Sequence, residues 1–297
     1  MHLADAWPRN VEDGSRTRPR ANGLIIGAPR SGSGKTLVTL GLLAALRRRG
    51  LDVRPAKTGP DYIDTAILAR VAGTEAINLD PWAMTPARLR ALAAGHGVGA
   101  DLLLVEGVMG LFDGAADGRG STADLAATLK LPVILVVDAE RQGQSVAALV
   151  SGFARFRPDV EVDGVVLNRV ATTRHERMLT EALAPVGIPV LGALPRREAL
   201  ILPERHLGLV LPGEIAAFEG IVEAAAGLME EYVDLNQLVA LSQPVFADDS
   251  MISYRRLRPL GQRIAVARDE AFAFVYQHVM EDWQAQGAEI RLFSPLR

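Results

Sequence analysis

The chain has 297 residues, of which 49% are apolar and 5% aromatic, and its formal net charge is −3. This length allows one large domain or two smaller ones, and the slightly acidic balance argues against nucleic acid as the main partner. The sequence contains no cysteine, which excludes disulfides, thiolate metal ligands and cysteine nucleophiles from this chain. No apolar run is long enough to cross a bilayer and no secretory signal is visible, so we expect a cytoplasmic protein without a membrane partner.

Residues 1–21 show no hydrophobic periodicity, which predicts a disordered tail. After this tail, short apolar runs that are typical of strands alternate with helical patterns. The predicted strands span 23–28, 52–57, 101–106, 132–137, 163–168, 189–194 and 207–211. The predicted helices span 36–49, 85–94, 121–130, 142–157, 173–186 and about 214–231.

Several predicted strands are apolar at every position rather than at alternate positions, as in Leu102–Val105 and Val133–Val137. Strands of this kind are buried on both faces of a sheet. Residues 22–242 are therefore predicted to form an α/β domain with a doubly wound, mainly parallel sheet and helices on both sides.

A second pattern follows residues 243–260, which are rich in Ser, Pro, Asp and Arg and predict a linker. Strands are predicted at 263–267 and 289–293, with a helix near 271–287 between them. The remaining residues, 261–297, are too few for an independent α/β domain. Either this unit docks on the first domain, or it is the first β-α-β unit of a second α/β domain, which is the explanation we favour.

The most informative motif is the glycine-rich turn Gly27–Thr36, between the first predicted strand and the first predicted helix. Such a turn cradles phosphate, because backbone N–H groups and the positive end of the helix dipole face the anion. In this cradle Lys35 reaches the β- and γ-phosphates of ATP, and the Thr36 hydroxyl holds Mg²⁺. The standard spacing has glycine where this chain has Pro29, and a glycine-rich turn without nucleotide is the alternative. The predicted nucleotide-binding residues in the turn are Arg30, Ser31, Gly32, Ser33, Gly34, Lys35 and Thr36.

Four carboxylates are predicted at the edge of the sheet where parallel sheets bind ligands. They belong to Asp61, Asp64, Glu106 and Asp113. We expect all four to converge on the γ-phosphate, as catalytic residues or as Mg²⁺ ligands beside Thr36. Asp61 could instead cap a helix, and Asp64 could be a solvated helix charge. Glu106 ends a buried strand, where an unpartnered carboxylate is costly, so a functional or paired role is favoured there.

Seven segments taken together resemble the family of cobyrinic acid and hydrogenobyrinic acid a,c-diamide synthases. They are Gly27–Thr36, Lys57–Asp64, Asn78–Trp82, Glu106–Gly114, Gly120–Ala126, Leu167–Val170 and Pro203–Leu209. The resemblance covers about residues 22–297. It implies a P-loop NTPase domain of the dethiobiotin-synthetase type, followed by a class I glutaminase domain that begins at about residue 261. Members of the family are often dimers, so a homodimer is one expected state.

The activity implied by the resemblance is ATP-dependent amidation of the a and c carboxylates of a corrin ring in cobalamin biosynthesis. ATP converts a carboxylate to an acyl phosphate, and ammonia, normally released from glutamine, then attacks it. The nucleophilic cysteine and the histidine of the family's glutaminase lie beyond this sequence. We therefore expect a truncated sequence that does not hydrolyse glutamine by the family's mechanism.

The resemblance also implies roles for individual residues. Lys35 and Thr36 hold the phosphates, and Arg30 stabilises charge on the transferring group. Metal is bound by Glu106 together with Asp61 or Asp113, while Asp64 orients ammonia or accepts its proton. Asn168 reads adenine, or else caps a strand end. The candidate contacts to the corrin substrate are Lys57, Tyr62, Arg205 and His206.

Two other functions remain open from the sequence. One is another acyl-phosphate ligase of the same fold, such as a cobyric acid synthase-like or dethiobiotin synthetase-like enzyme. The other is a P-loop switch ATPase that partitions or delivers cargo, against which the four acids around the site argue. The sequence leaves open whether the corrin substrate contains cobalt or is the metal-free hydrogenobyrinic acid.

Overall fold

The computed structural model describes residues 21–197, 218–246, 256–269, 271–272 and 274–296. Nearly all of the predicted tail, the predicted strand at 207–211 and the candidate substrate residues Arg205 and His206 lie outside these residues. Within the described residues, no helix is both long enough and apolar enough to span a membrane.

Seven parallel strands form the main sheet of the described residues, in the order β3-β2-β4-β1-β5-β6-β7. The strands are β1 (Asn22–Gly27), β2 (Val53–Thr58), β3 (Ile77–Leu79), β4 (Leu102–Glu106), β5 (Val133–Asp138), β6 (Val162–Val170) and β7 (Val190–Pro195). Strand β1 lies between β4 and β5, so the later strands lie on both sides of it. This arrangement confirms the predicted doubly wound α/β fold.

Helices cover both faces of this sheet. They are α1 (Lys35–Arg48), α2 (Tyr62–Ala72), α3 (Pro86–His96), α4 (Thr122–Leu129), α5 (Val146–Arg155), α6 (Thr173–Leu183), α7 (Phe218–Tyr232) and α8 (Leu235–Ala240). In β1, Leu24 and Ile26 join the core cluster with α1, α2, α7 and α8. Ile25, between them, joins the cluster with α3, α4, α5 and α6. Burial on both sides explains why the central strands are apolar at every position.

The structure differs from the predicted elements at α2, an eleven-residue helix that the prediction omits, and where an element is short. Strand β3 has only three residues and α8 only six, and neither shows enough periodicity to be predicted. Helix α5 begins at Val146 rather than at residue 142. The preceding chain forms a turn in which Gln142 N–H donates to the Ala139 carbonyl and Arg141 has a left-handed φ of 64°, so a helix cannot start there.

The segment after α8 is not a plain linker at its start. Residues Gln243–Pro244 form β8, which pairs antiparallel with Asn22 and Gly23 of β1. Val245 N–H then donates to the Ala21 carbonyl at 3.0 Å. The chain therefore returns to the amino end of the central strand before it leaves the first domain.

The predicted β-α-β unit is present as a small parallel sheet of β9 (Arg263–Ala267) and β10 (Glu289–Phe293), with α9 (Gln277–Ala285) between the strands. Both strands have their predicted bounds. Helix α9 begins later than predicted, because the Asp269 carboxylate accepts from the N–H groups of residues 271 and 272 and holds that stretch in a turn. We refer to residues 256–296 as the second unit.

Helices α1 and α7 approach closely at Gly41, and this contact yields a stability prediction. A Cβ on Gly41 would lie 2.8 Å from the Ala225 carbonyl oxygen and 2.8 Å from Met229 Cγ. Alanine is the better helix former by about 1 kcal/mol, but overpacking against backbone costs about 1–3 kcal/mol. We therefore expect Gly41→Ala to lower the free energy of unfolding by about 1 kcal/mol, measured by urea denaturation followed by circular dichroism.

Gly227 in α7 is the matched control for Gly41. A Cβ at Gly227 meets nothing within 4 Å, so the helix-propensity gain should appear alone. We expect Gly227→Ala to raise the free energy of unfolding by about 0.5–1 kcal/mol. A stabilising Gly41→Ala would show that α1 and α7 are farther apart than the structure indicates.

Candidate active site

A cleft of about 1000 Å³ opens at the carboxyl edge of the main sheet, where the turn after β1 meets the ends of β2, β6 and β7. Open parallel sheets bind ligands at this edge. Ten predicted site residues line the cleft: Arg30, Ser31, Gly32, Gly34, Lys35, Thr36, Lys57, Asp61, Asp64 and Asn168. Most of the predicted site therefore comes together in one cavity.

The turn between β1 and α1 has the backbone of a phosphate cradle. Gly32 and Gly34 have φ values of 78° and 90°, a left-handed conformation that strains any residue with a side chain. Gly34 caps α1 without a side-chain hydrogen bond, so the first N–H groups of the helix remain available to an anion. The Ser33 hydroxyl donates to the Arg30 carbonyl at 3.0 Å and braces the turn from within.

The end of β6 fastens the same turn from outside. The Asn168 amide nitrogen donates to the Ser33 carbonyl at 2.9 Å, and its oxygen accepts from Arg169 N–H at 3.0 Å. A Cβ on Gly34 would lie 2.1 Å from that amide nitrogen, so any side chain at position 34 would displace Asn168. Asn168 thus holds the cradle in addition to lining the cleft.

Asp138 at the end of β5 connects two arginines of the cleft. Its Oδ2 accepts from Arg30 at 3.0 Å and from Arg169 at 2.8 Å, and Arg169 also donates to the Gly32 carbonyl at 3.0 Å. Sequence reasoning missed Asp138 and Arg169. The signal was available, because Asp138 follows a continuous apolar strand in the same way as Glu106.

Lys35 begins α1 and lines the cleft. Burial lowers the pKa of its ammonium group from the usual 10.5 to about 8. The Glu106 carboxylate opposes this change, the Lys57 charge adds to it, and Asp61 opposes it weakly. Lys35 is therefore less firmly protonated than an exposed lysine until an anion occupies the cradle.

The Glu106 side chain is completely buried at the end of β4. Its Oε1 accepts from the Thr36 hydroxyl at 2.7 Å and lies 3.2 Å from Lys57 Nζ. Its Oε2 is buried without a hydrogen-bond partner in the described structure. An oxygen in this state beside a P-loop hydroxyl fits Mg²⁺, which takes hard oxygen ligands and water. Among the described residues, no group of three or more His, Cys, Asp or Glu side chains is arranged as a metal site.

Lys57, a candidate substrate contact, lies in a buried ion-pair network. The parallel register of β2 and β4 places it directly beside Glu106. Its Nζ lies 2.8 Å from Asp64 Oδ2 and 3.2 Å from Glu106 Oε1, and it donates to the Gly107 carbonyl at 3.2 Å. Since an ammonium has three donors, this network occupies Lys57 fully in the described state.

The remaining predicted residues have local roles. Asp61 caps α2, because its Oδ1 accepts from the N–H groups of Ile63 and Asp64, and it also lines the cleft. The Asp113 carboxylate accepts from Gly110 N–H at 3.0 Å and folds its own loop. The Tyr62 ring stacks on Tyr276 of the second unit, at a centroid distance of 4.2 Å. Ser33, Glu106, Asp113 and Tyr62 are not among the residues that line the cleft.

Several curated proteins that are similar to this chain are named hydrogenobyrinate a,c-diamide synthase. The chain is 57% identical over 275 residues to the one from Brucella suis, which covers 92% of this chain and 63% of that protein. It is 54% identical to the one from Rhizobium meliloti, with 93% and 63% covered, and 48% identical to the one from Agrobacterium fabrum, with 93% and 64% covered. The chain thus spans less than two thirds of the length of these relatives.

A solved structure of chloroplast FtsY from Physcomitrella patens aligns with 69% of this chain and 65% of its own at 19% identity, with a TM-score of 0.43. That similarity is too low to bear on fold or function. The family model described as CobQ/CobB/MinD/ParA nucleotide binding domain matches residues 24–210, which include the cradle and the strand ends around it. With the cleft built on those strand ends, the chain belongs to the CobQ/CobB/MinD/ParA nucleotide-binding domain family.

Proposed function

We propose that this chain is the synthetase part of a hydrogenobyrinate a,c-diamide synthase, which amidates the a and c carboxylates of metal-free hydrogenobyrinic acid in cobalamin biosynthesis. The names of relatives at 48–57% identity support the substrate and the choice of the metal-free ring. The observation that carries the proposal is the contact between the Thr36 hydroxyl and the buried Glu106 carboxylate at the phosphate cradle. In the proposal, this contact holds two candidate Mg²⁺ ligands beside the phosphates of the nucleotide.

In the proposed complex, ATP lies along the turn 30–36 with its β- and γ-phosphates at the N-terminus of α1. Thr36 and Glu106 hold Mg²⁺, with Asp61 as a further candidate on the cleft wall. When bound, Mg²⁺ neutralises charge on the phosphates. Lys35 contributes a positive charge to the same phosphates, and Arg30 stands at the rim to stabilise charge on the transferring phosphoryl group.

The proposed reaction has two steps for each carboxylate. A carboxylate oxygen of the substrate attacks the γ-phosphorus of ATP, the bond to the β-phosphate oxygen breaks, and an acyl phosphate and ADP form. Ammonia then attacks the acyl carbon, phosphate leaves, and the proton lost by nitrogen ends on phosphate. Positioning and charge neutralisation dominate such transfers, which matches a cleft built from charged groups at strand ends.

Asp64 is proposed to orient the attacking ammonia. Its carboxylate lines the cleft and is held by Lys57 at 2.8 Å, so its position is fixed without a contact to nucleotide. An oriented carboxylate can accept a hydrogen bond from ammonia and direct its lone pair at the acyl carbon. Ammonia in solution is sufficient for this chain in the proposed reaction, and glutamine is the proposed nitrogen source of the longer relatives.

The direct test is ADP release by the purified chain with MgATP and ammonium chloride, with either hydrogenobyrinic acid or cobyrinic acid added. We expect hydrogenobyrinic acid to stimulate ADP release, mass spectrometry to show two added amides, and Lys35→Ala to abolish both. Stimulation by the cobalt ring alone would reassign the substrate. Nucleotide binding without stimulation by either ring would contradict the ligase function and favour a switch ATPase.

The lowered pKa of Lys35 predicts proton uptake when nucleotide binds. At pH 8.5 the free Lys35 amine is largely neutral, whereas phosphates in the cradle favour its ammonium form and raise its pKa. Binding of MgATP should therefore take up about 0.5–0.8 proton per site at pH 8.5 and weaken as pH rises through about 8. Calorimetry in buffers of different ionisation enthalpy measures this uptake. Equal uptake in Lys35→Met would contradict the assignment to Lys35.

The Thr36 hydroxyl predicts a specific dependence on Mg²⁺. Thr36→Val keeps the shape of the side chain but removes the hydroxyl, while Thr36→Ser keeps the hydroxyl. We expect the ratio of ADP affinities with and without Mg²⁺ to fall about tenfold or more in Thr36→Val and to stay near wild type in Thr36→Ser. Isothermal titration calorimetry in Mg²⁺ and in EDTA provides both affinities. A ratio that Thr36→Val leaves unchanged would place the metal away from this hydroxyl.

A further inference from the structure

One aromatic residue of the second unit, Tyr276, contacts the turn of the first domain that carries Asp61 and Asp64. We call residues 59–64, which connect β2 to the first turn of α2 and carry Asp61 and Asp64, the acid loop. Tyr276 precedes α9 and donates its hydroxyl to the Pro60 carbonyl at 3.1 Å. Its ring stacks on Tyr62 with centroids 4.2 Å apart and planes 21° apart. Tyr276 therefore holds the residue on each side of Asp61.

A buried ion pair fastens helix α9, which begins directly after Tyr276. Arg88 of α3 donates to both carboxylate oxygens of Asp282 in α9, one of them at 3.0 Å, and both residues are buried. A bidentate guanidinium–carboxylate pair fixes orientation as well as distance. His278, one turn before Asp282, is buried too, and burial lowers its pKa to about 4, so no further charge forms there at neutral pH.

A displacement of Pro60 or Tyr62 would also move the two acids of the acid loop, Asp61 and Asp64. Asp61 lies between these two residues, and its Oδ1 fixes Ile63 N–H and Asp64 N–H at 2.9 Å each. Asp64 follows in the first turn of α2 and pairs with Lys57. Because the peptide units are planar, so short a segment has few soft torsions to absorb a shift.

Two further features stabilise the contact of Tyr276 with the acid loop. Burial raises the pKa of the Tyr276 hydroxyl, so it stays protonated and keeps its donor role. A second ring of the unit, Phe274, stacks on Tyr62 at 5.2 Å. We propose that Tyr276 is a positioning residue of the acid loop, so that the arrangement of Asp61 and Asp64 depends on the second unit.

This inference deepens the proposed function, yet its main test does not rest on it. Hydrogen exchange of the chain without ligands reports the acid loop directly. We expect Tyr276→Ala to speed exchange of the amides of residues 62–66 about tenfold, the factor that corresponds to about 1.4 kcal/mol. Tyr276→Phe, which keeps the stacking and loses the hydrogen bond, should show a smaller increase. Exchange in residues 35–39 of α1 should not change.

Phe293→Ala is the matched control, because Phe293 is a half-exposed aromatic of β10 in the same small sheet. It should leave exchange in residues 62–66 unchanged. The proposal is overturned if Tyr276→Ala leaves this exchange at the wild-type rate, or if Phe293→Ala speeds it equally. If Tyr276→Ala releases the whole second unit, seen as faster exchange in α9, Tyr276→Phe decides instead.

Kinetic measurements provide a second test, once ammonia-dependent ADP release has been established for this chain. A positioning role predicts that Tyr276→Phe lowers kcat several-fold while the Kd for ATP measured in EDTA stays at the wild-type value, because the phosphate cradle is untouched. A merely structural contact would lower the amount of folded protein and leave kcat per folded site unchanged. Faster exchange with unchanged kcat would overturn the assignment. Absence of any corrinoid-stimulated ADP release would count against the proposed function only, since the exchange measurement remains decisive for Tyr276.

Discussion

The cleft depends on the burial of one carboxylate, that of Glu106, which has no contact with solvent. Glu106 ends a strand in the interior of the sheet, where an ionised group without partners would be destabilising by several kcal/mol. The register of β2 brings Lys57 to it, and the start of α1 brings the Thr36 hydroxyl. Lys57 is buried as well, so it requires Asp64 in turn. In this network each buried charge compensates the charge of its neighbour, so Glu106, Lys57 and Asp64 hold one another in place.

The other side of the cleft repeats this arrangement with different residues. Asp138 ends β5, and the register places it beside Asn168 at the end of β6. Arg30 and Arg169 share its Oδ2, and Asn168 with Arg169 fastens the carbonyls of the turn. The phosphate cradle thus lies between the buried network of Glu106, Lys57 and Asp64 and an outer cluster in which Asp138 is buried and two arginines reach solvent. The outer cluster, together with Asn168, braces the carbonyls of the turn.

The sequence was sufficient for six of the seven parallel strands of the main sheet and for most of the cleft. Continuous apolar strands and a glycine-rich turn are local signals, and parallel topology brings residues after such strands to one edge. Asp113 could not be placed from the sequence, because a short turn lets its carboxylate accept from Gly110 N–H nearby instead of facing the cleft. The stacking of Tyr62 on Tyr276 was equally inaccessible, since it joins residues far apart in the chain that no periodicity relates.

The antiparallel pairing of β8 with β1 bears on how this protein forms. Strand β1 precedes the other strands of the main sheet in the chain and lies at its centre, yet part of its amino end pairs with residues more than two hundred positions later. Contacts of such sequence separation slow folding, because the loop must close before they form. A nascent chain that has emerged only to α7 therefore exposes an unpaired edge at Asn22 and Gly23. A fragment meant to fold alone must extend past Val245, well beyond the end of the family match at residue 210.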